Sequence, residues 1–143
     1  PYGLGQKPNT GVGAITVFIN QILQGKALTL FGDGNATRDF VHVNYVVQAF
    51  EKALTWEFNR DILPVFNIGS GKALTLRQVI ALISHAIDRP VNITYQPRRT
   101  FDVQHNALSI EKAIRVLQYA PPVRLENEII DYAVTLAELH RSD

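Results

Sequence analysis

The stretch LTLFGDGNATRDFVHV, residues Leu28–Val43, decides how this chain is interpreted. A strand-like run is followed by two glycines around an aspartate, by an Arg-Asp pair and by a second strand-like run. Turn residues between two apolar runs are typical of a hairpin. The alternative is a loop that binds an anion through Arg38, because a guanidinium group donates two parallel charge-assisted hydrogen bonds to an oxyanion.

Around this stretch, predicted helices and short strands alternate in an α/β order. Apolar residues at helical spacing predict five helices, which begin near Ala14, Val43, Leu76, Ile110 and Leu125. Thr75 and Gln78 predict a capping box, and Ser109 predicts an N-cap. The predicted strands are ALTLF, RDFVHV, PVFNIG and VNITY, of which PVFNIG alone is expected to be buried on both faces. The whole chain, 1–143, is predicted to form one domain without a complete βαβαβ mononucleotide fold.

Composition excludes several classes of function. The 143 residues have a formal net charge of +1. The sequence contains no block of basic residues that would indicate a nucleic-acid partner. The chain has no cysteine, which excludes disulfides and cysteine-ligated zinc. No apolar run is long enough to span a membrane, and the first residues do not resemble a signal peptide. We therefore expect a cytoplasmic protein without a membrane partner.

Short motifs of catalytic or metal sites fail on their spacing. GSGK, residues Gly69–Lys72, lacks the earlier glycine and the following Ser or Thr of a phosphate-binding loop. DGNATRD has Arg38 where a calcium loop needs glycine. The four histidines are scattered, and no serine lies in a G-x-S-x-G motif. The residues thus predict no metal site and no catalytic group. Three arginines (Arg38, Arg98 and Arg99) are candidates for anion binding, with surface ion pairs as the equally weighted alternative.

The order of several segments identifies a family. PYGLGQ is followed by the G-D-G turn with RDFVHV, then by VFNIGSG, and then by RRTFDV and a final helix. This order resembles the C-terminal half of the extended short-chain dehydrogenases/reductases that act on nucleotide sugars, the epimerases and dehydratases related to UDP-galactose 4-epimerase. The resemblance implies a substrate-binding subdomain plus the last Rossmann elements, an α+β-like fragment that lacks the N-terminal dinucleotide-binding half.

The resemblance also implies which residues bind a UDP- or GDP-sugar. Arg38 would bind the diphosphate, Arg99 a phosphate, and Asp102 a ribose hydroxyl, so that the two guanidinium groups converge on the pyrophosphate. Backbone groups of the first strand would lie beside the base. The remaining implied contacts are Leu28, Leu30 and Phe31 in that strand, with Phe18 and Arg98 as weaker candidates.

Two family motifs are absent from this sequence. It contains no G-x-x-G-x-x-G for NAD, and no tyrosine has a lysine four residues later as the catalytic pair requires. We therefore expect a truncated protein that binds a nucleotide sugar, binds no NAD by itself, and is not a competent isomerase alone. Polysaccharide biosynthesis is the pathway that the resemblance implies. The alternatives are an interaction module for a full-length sugar-nucleotide enzyme, or a fragment of an active NAD-dependent epimerase.

The resemblance has a consequence for association. The helix from Val43 and the strand PVFNIG would pack against a sheet that this chain lacks. An apolar face of several hundred Å2 is unfavourable in water, at roughly 25 cal/mol per Å2. We therefore expect a homodimer with these two elements in its two-fold interface.

Overall fold

A computed structural model of the chain describes residues 1–8 and 13–142. Within these residues, five helices and four strands alternate, which confirms the predicted α/β class. The helices are α1 Ala14–Leu23, α2 Val43–Thr55, α3 Leu76–Ala86, α4 Glu111–Leu117 and α5 Leu125–Ser142. The strands are β1 Leu28–Phe31, β2 Thr37–Asp39, β3 Ala73–Thr75 and β4 Ile93–Gln96.

The strands form two separate two-stranded sheets. β1 pairs with β4 in parallel, from Leu28 opposite Ile93 onwards, while β2 pairs antiparallel with β3. The Gly32–Gly34 turn therefore connects strands of different sheets, and the interpretation of Leu28–Val43 as a hairpin is wrong. Both glycines have positive φ, 83° and 79°, which is a conformation that favours glycine.

The main core lies between three helices and the first strand. α1 and α5 both pack against α3, and α1 also contacts β1. Thr75 and Gln78 form the predicted capping box at the start of α3, which fixes the helix end next to β3. Each of the three helices contributes fully buried aliphatic side chains, namely Ile15, Ile19, Val79, Ile80, Ile83, Leu125 and Ile129.

A smaller apolar cluster lies under α2 and α4. Its buried members are Ala49, Ile110, Ala113 and Tyr119. Ala49 is the one α2 residue that is buried. Most of the apolar face of α2 therefore remains in contact with solvent.

Two predictions about local structure are wrong. PVFNIG contains no strand, and Val65 in it is 62% exposed. Lys112 Nζ donates to the carbonyl oxygens of Leu63 and Val65, and none of the described strands lies alongside to form a ladder. Ser109 is not an N-cap: α4 begins at Glu111, and its N-cap residue, Ile110, makes no side-chain capping bond.

Candidate functional site

Apart from Phe18 of α1, the predicted ligand residues lie on two segments that run side by side. β1 and β4 begin this pairing, and Gly32 N–H continues it by donating to the carbonyl of Gln96 over 2.9 Å. Thr37 N–H then donates to the carbonyl of Gln104 over 2.8 Å. Segments 28–39 and 93–108 are thus joined at two places, along β1 and along β2, while Gly34 and Ala36 between them accept hydrogen bonds from the start of α3. We call this pair of segments the paired-segment site.

Arg38 is the central residue of β2. Its backbone lies opposite Leu74 of β3, and its side chain is partly buried. One guanidinium nitrogen, Nη1, donates to the carbonyl of Thr37 over 2.8 Å. The other guanidinium N–H groups give Arg38 further donors for an oxyanion.

Arg99 lies at the other end of the site, beside the end of β1. Its guanidinium carbon is 3.4 Å from the centroid of the Phe31 ring and 5.9 Å from that of Phe101, which is a cation–π arrangement. Arg98 lies against Gly32, where an added Cβ would come within 3.7 Å of the arginine Cβ. The backbone N–H of Asp102 donates to the carbonyl of Arg99, which closes a turn between them.

Three predicted contact residues have their side chains in the core. Leu28 and Leu30 are fully buried, and Phe18 is 7% exposed within the main core. The side chains of Leu28 and Leu30 therefore offer no surface to a ligand.

The free edge of β1 is defined by the alternation of its backbone groups. The N–H of Leu28 donates to Asn92 and the N–H of Gly32 donates to Gln96, so even-numbered residues point towards β4. Successive residues of a strand point their backbone groups to opposite edges. The N–H and C=O groups of Thr29 and Phe31 therefore face the edge that has no strand partner among the described residues.

The G-D-G turn is stabilised from within. Asp33 accepts from the backbone N–H of Asn35 over 2.9 Å and from its side-chain amide over 2.7 Å. The backbone hydrogen bond, followed by the side-chain one, lowers the pKa of the Asp33 carboxyl. Each oxygen of the carboxylate thus accepts one hydrogen bond from Asn35 within the turn between β1 and β2.

His42 and Asn67 make hydrogen bonds within the fold. His42 is the N-cap of α2, and its Nδ1 accepts from the N–H of Asn44. Asn67 donates from its side-chain amide to the carbonyl of Ser109.

Sequence reasoning missed the role of Asp39. Its carboxylate accepts from the GSGK turn, at the N–H and the hydroxyl of Ser70 and at the N–H of Gly71. It also accepts from the N–H of Leu108. The sequence signal was the glycine-rich GSGK turn, whose backbone N–H groups can bind an anion. A phosphate was considered as that anion, whereas the structure shows an internal carboxylate.

Several tyrosines are held in the protonated form. Burial, and then the hydrogen bond to Glu128, raises the pKa of Tyr45 to about 12. Burial, and then the charge of Asp39, raises the pKa of Tyr119 to about 12. The pKa of Tyr2 is raised further, chiefly by burial. Neutral Tyr45 and Tyr119 donate from their hydroxyls to Glu128 and to the carbonyl of Gly69.

Within the described residues, no group of three or more His, Asp or Glu side chains is arranged to hold a metal ion. No described helix is long and apolar enough to cross a membrane. A groove of about 790 Å3 lies between α3 and β4, but none of the predicted ligand residues lines it.

Comparison with known proteins identifies relatives of the chain. Residues 1–69 match the NAD dependent epimerase/dehydratase family. The chain is 32% identical to dTDP-4-dehydro-6-deoxyglucose reductase of Escherichia coli and 34% identical to a putative UDP-glucose 4-epimerase of Methanocaldococcus jannaschii. Each match covers 90% of this chain and 40% of the relative. The resemblance to nucleotide-sugar epimerases that the sequence predicts is confirmed.

Solved structures give the same result. The fold matches UDP-glucose 4-epimerase of Thermotoga maritima, solved with UDP-glucose, with a TM-score of 0.83 and 32% identity over 99% of this chain. It also matches UDP-glucose 4-epimerase of Thermus thermophilus, solved with NAD, with a TM-score of 0.81 and 27% identity over 96% of this chain. The chain spans 43% of each of these proteins.

The described residues do not fit an NAD site. A dinucleotide site needs a strand that runs into a glycine-rich turn opening a helix, whose N-terminal N–H groups bind the pyrophosphate. Here the Gly32–Gly34 turn leads into β2. Helix α3 follows β3 directly, without a glycine-rich turn between them. The Thr75 side chain accepts from the N–H of Gln78, so this N–H group at the start of α3 is already bonded. We therefore assign no hydride-transfer step to the residues that the structure describes.

Proposed function

Because this chain is related in sequence and fold to the NAD dependent epimerase/dehydratase family, we propose that it binds a nucleoside-diphosphate sugar at the paired-segment site. The observation that carries the proposal is the parallel course of segments 28–39 and 93–108. It supports the proposal because these two segments carry both candidate arginines, Asp102 and the free edge of β1. The UDP-sugar in one related structure supports this class of ligand.

Each part of the ligand has a matching group in the proposed site. Arg38 and Arg99 bind the diphosphate, because each guanidinium can donate two hydrogen bonds to phosphate oxygens. The Asp102 carboxylate accepts from a ribose hydroxyl. The backbone of Thr29 and Phe31 pairs with the edge of a uracil or guanine base, which offers both donors and acceptors.

The proposed function is binding without isomerisation by this chain alone. The proposal is based on the missing Y-x-x-x-K pair and the missing NAD motif. Isomerisation by the relatives' chemistry needs a nicotinamide held beside the sugar, which is chemistry that the cofactor supplies. Purified chain mixed with UDP-galactose and NAD is expected to give no UDP-glucose.

Calorimetric titration tests the binding proposal. We expect heat with UDP or GDP, and Arg38→Ala to weaken the binding at least tenfold because a charged donor to the diphosphate is lost. Arg115→Ala removes an exposed arginine from α4 and is expected to change the affinity less than twofold. Equal loss in both variants would mean that net charge, and not the site, attracts the nucleotide. If the wild-type chain gives no binding heat with any nucleotide, the binding proposal is contradicted and an interaction module is favoured.

An exposed apolar face supports a second proposal, a two-fold homodimer. Six side chains on α2 and in residues 56–66 are half or more exposed, namely Val47, Phe50, Leu54, Phe58, Leu63 and Val65. We call these six the α2 apolar face. An apolar groove of about 200 Å3, lined partly by Val46, Ala49 and Ile68, adjoins it.

The size of this face is appropriate for a second copy of the chain. At on the order of 100 Å2 per side chain, the six expose about 600 Å2, which approaches the roughly 800 Å2 that each partner buries in a stable interface. A two-fold axis lets the same surface cover itself, so that no other protein is required. Sedimentation of the wild-type chain as a monomer at high concentration would contradict this proposal.

A further inference from the structure

We propose that Asp39 is a positioning residue for nucleotide-diphosphate binding, which it supports by fixing the strand that carries Arg38. This inference rests on the proposed function, because it assigns Asp39 a role in the same site. Asp39 itself does not contact the ligand. It is the last residue of β2, and its carboxylate is bonded to the GSGK turn and to Leu108.

The carboxylate of Asp39 is saturated with donors. Oδ1 accepts from the N–H and the hydroxyl of Ser70, both at 2.7 Å. Oδ2 accepts from the N–H of Gly71 at 3.1 Å and from that of Leu108 at 3.2 Å. A carboxylate offers about four lone-pair positions, so that none is left for a ligand. The N–H groups of the GSGK turn thus bind an internal anion in place of a phosphate.

The space around the carboxylate is also fully used. A Cβ added at Gly69 would lie 2.7 Å from Asp39 Oδ2, so only glycine fits there. Tyr119 donates from its hydroxyl to the carbonyl of Gly69 over 2.8 Å and holds the turn from the opposite side. The turn therefore cannot shift without breaking several hydrogen bonds, and it gives Asp39 a rigid anchor.

The strand geometry transmits this anchoring to Arg38. Neighbouring side chains of a strand point to opposite faces, so Arg38 extends away from the GSGK turn while Asp39 enters it. On the other side of Arg38, Thr37 is fixed by its N–H bond to Gln104 and by the bond that its carbonyl accepts from Asn106. The residue that binds the diphosphate therefore lies between two fixed neighbours.

The same carboxylate fixes the second segment of the site. The hydrogen bond that it accepts from Leu108 N–H connects β2 to the end of segment 93–108. Arg99 and Asp102 lie earlier in the same segment. Residues 104–106 are already bonded to Thr37 at the start of β2, so the main effect of Asp39 falls on the end of β2, next to Arg38. We therefore expect loss of Asp39 to act on binding through Arg38 and not through Arg99.

Asp39→Asn is the variant that tests the inference. It keeps the size of the side chain but replaces one accepting oxygen by an NH2 group, which then faces backbone N–H donors. The UDP affinity is measured by calorimetry for the wild type, Asp39→Asn, Arg38→Ala, Arg99→Ala and the two double variants with Asp39→Asn. Circular dichroism and thermal unfolding of each variant check that it is folded.

The double-variant cycle separates positioning from general damage. We expect Asp39→Asn to weaken UDP binding about tenfold in the wild type and in Arg99→Ala, but less than twofold in Arg38→Ala. A tenfold loss in all three backgrounds would overturn the inference, because a merely structural role does not depend on Arg38. Wild-type affinity in Asp39→Asn would overturn it too, while leaving the binding proposal intact. Absence of UDP binding by the wild type would overturn both.

Ser70→Ala provides the second variant if Asp39→Asn does not fold. It removes one of the four donors to the carboxylate and leaves the backbone N–H groups in place. We expect a two- to fivefold weaker affinity for UDP in the wild-type background and no further loss in Arg38→Ala. An equal loss in both backgrounds contradicts the inference.

Discussion

Helices α2 and α3 are similar in sequence pattern but differ in what covers them. They contain 13 and 11 residues, and both carry apolar side chains at helical spacing. α3 buries Val79, Ile80 and Ile83 against α1 and α5, whereas α2 packs on the short helix α4 and leaves Phe50 69% and Leu54 86% exposed. An amphipathic pattern thus specifies a helix with a face to bury, but the neighbours of the helix decide whether that face is buried.

The largest expected effect comes from truncating the covered helix. Ile80→Ala is expected to reduce the free energy of unfolding by about 2–5 kcal/mol, because Ile80 is 2% exposed and its loss leaves a cavity in the main core. Val47→Ala on α2 is expected to cost less than about 0.5 kcal/mol in the monomer, because the side chain is half exposed. Urea unfolding at low protein concentration measures both. Equal costs would show that the α2 apolar face is buried even in the monomer.

The next effect concerns association. Phe50→Glu places a charge in the centre of the α2 apolar face and is expected to weaken the homodimer at least tenfold, about 1.4 kcal/mol. Leu139→Glu is the matched control, since Leu139 is similarly apolar and exposed but lies on α5. Sedimentation equilibrium measures the dimer dissociation constant of each variant. Weakening by the α5 variant alone would place the interface elsewhere.

A smaller effect is expected at the N-terminus of the covered helix. Thr75→Ala removes the side chain that accepts from Gln78 N–H and should cost about 1 kcal/mol. The shift of the urea midpoint at constant slope measures this loss. Thr75→Ser retains the hydroxyl and is expected to keep nearly all of the stability. If both variants lose the same stability, then packing of the threonine methyl, and not capping, stabilises this end.

The last prediction concerns alkaline pH and the cluster under α2. The pKa of Tyr45 and Tyr119 is about 12, against 10.0 for an exposed phenol. Because the unfolded chain loses these protons first, their contribution to stability is complete below pH 10 and is lost as the pH rises from 10 to 12. Tyr119→Phe is expected to make this decline shallower. An unfolding free energy that stays constant up to pH 12 would contradict these pKa values.

The sequence predicted most elements of the molecule but misplaced some of their partners. The five helices and the capping box of α3 follow from signals within one turn or one short segment. PVFNIG was predicted as a strand from its composition, yet a strand requires a neighbour to pair with, and the described residues offer none. Ser109 failed as a cap for a similar reason, since its carbonyl is bonded to Asn67 of another segment.

The candidate site divides in the same way. Motif resemblance named Arg38, Arg99 and Asp102, whose roles stay predictions until binding is measured. Asp39 was missed because its partners Ser70 and Leu108 lie 31 and 69 residues away. Only the folded chain brings these donors to one carboxylate.

The amino-acid sequence by itself determined the helices, the positive-φ turn at Gly32–Gly34 and the family resemblance, because these depend on residues close to one another in the chain. The tertiary structure alone decided that β1 pairs with β4, that segments 28–39 and 93–108 are bonded to each other, and that α2 remains uncovered while α3 is buried. Each of these depends on contacts between distant segments, whose free energies are gained only when the whole chain is folded.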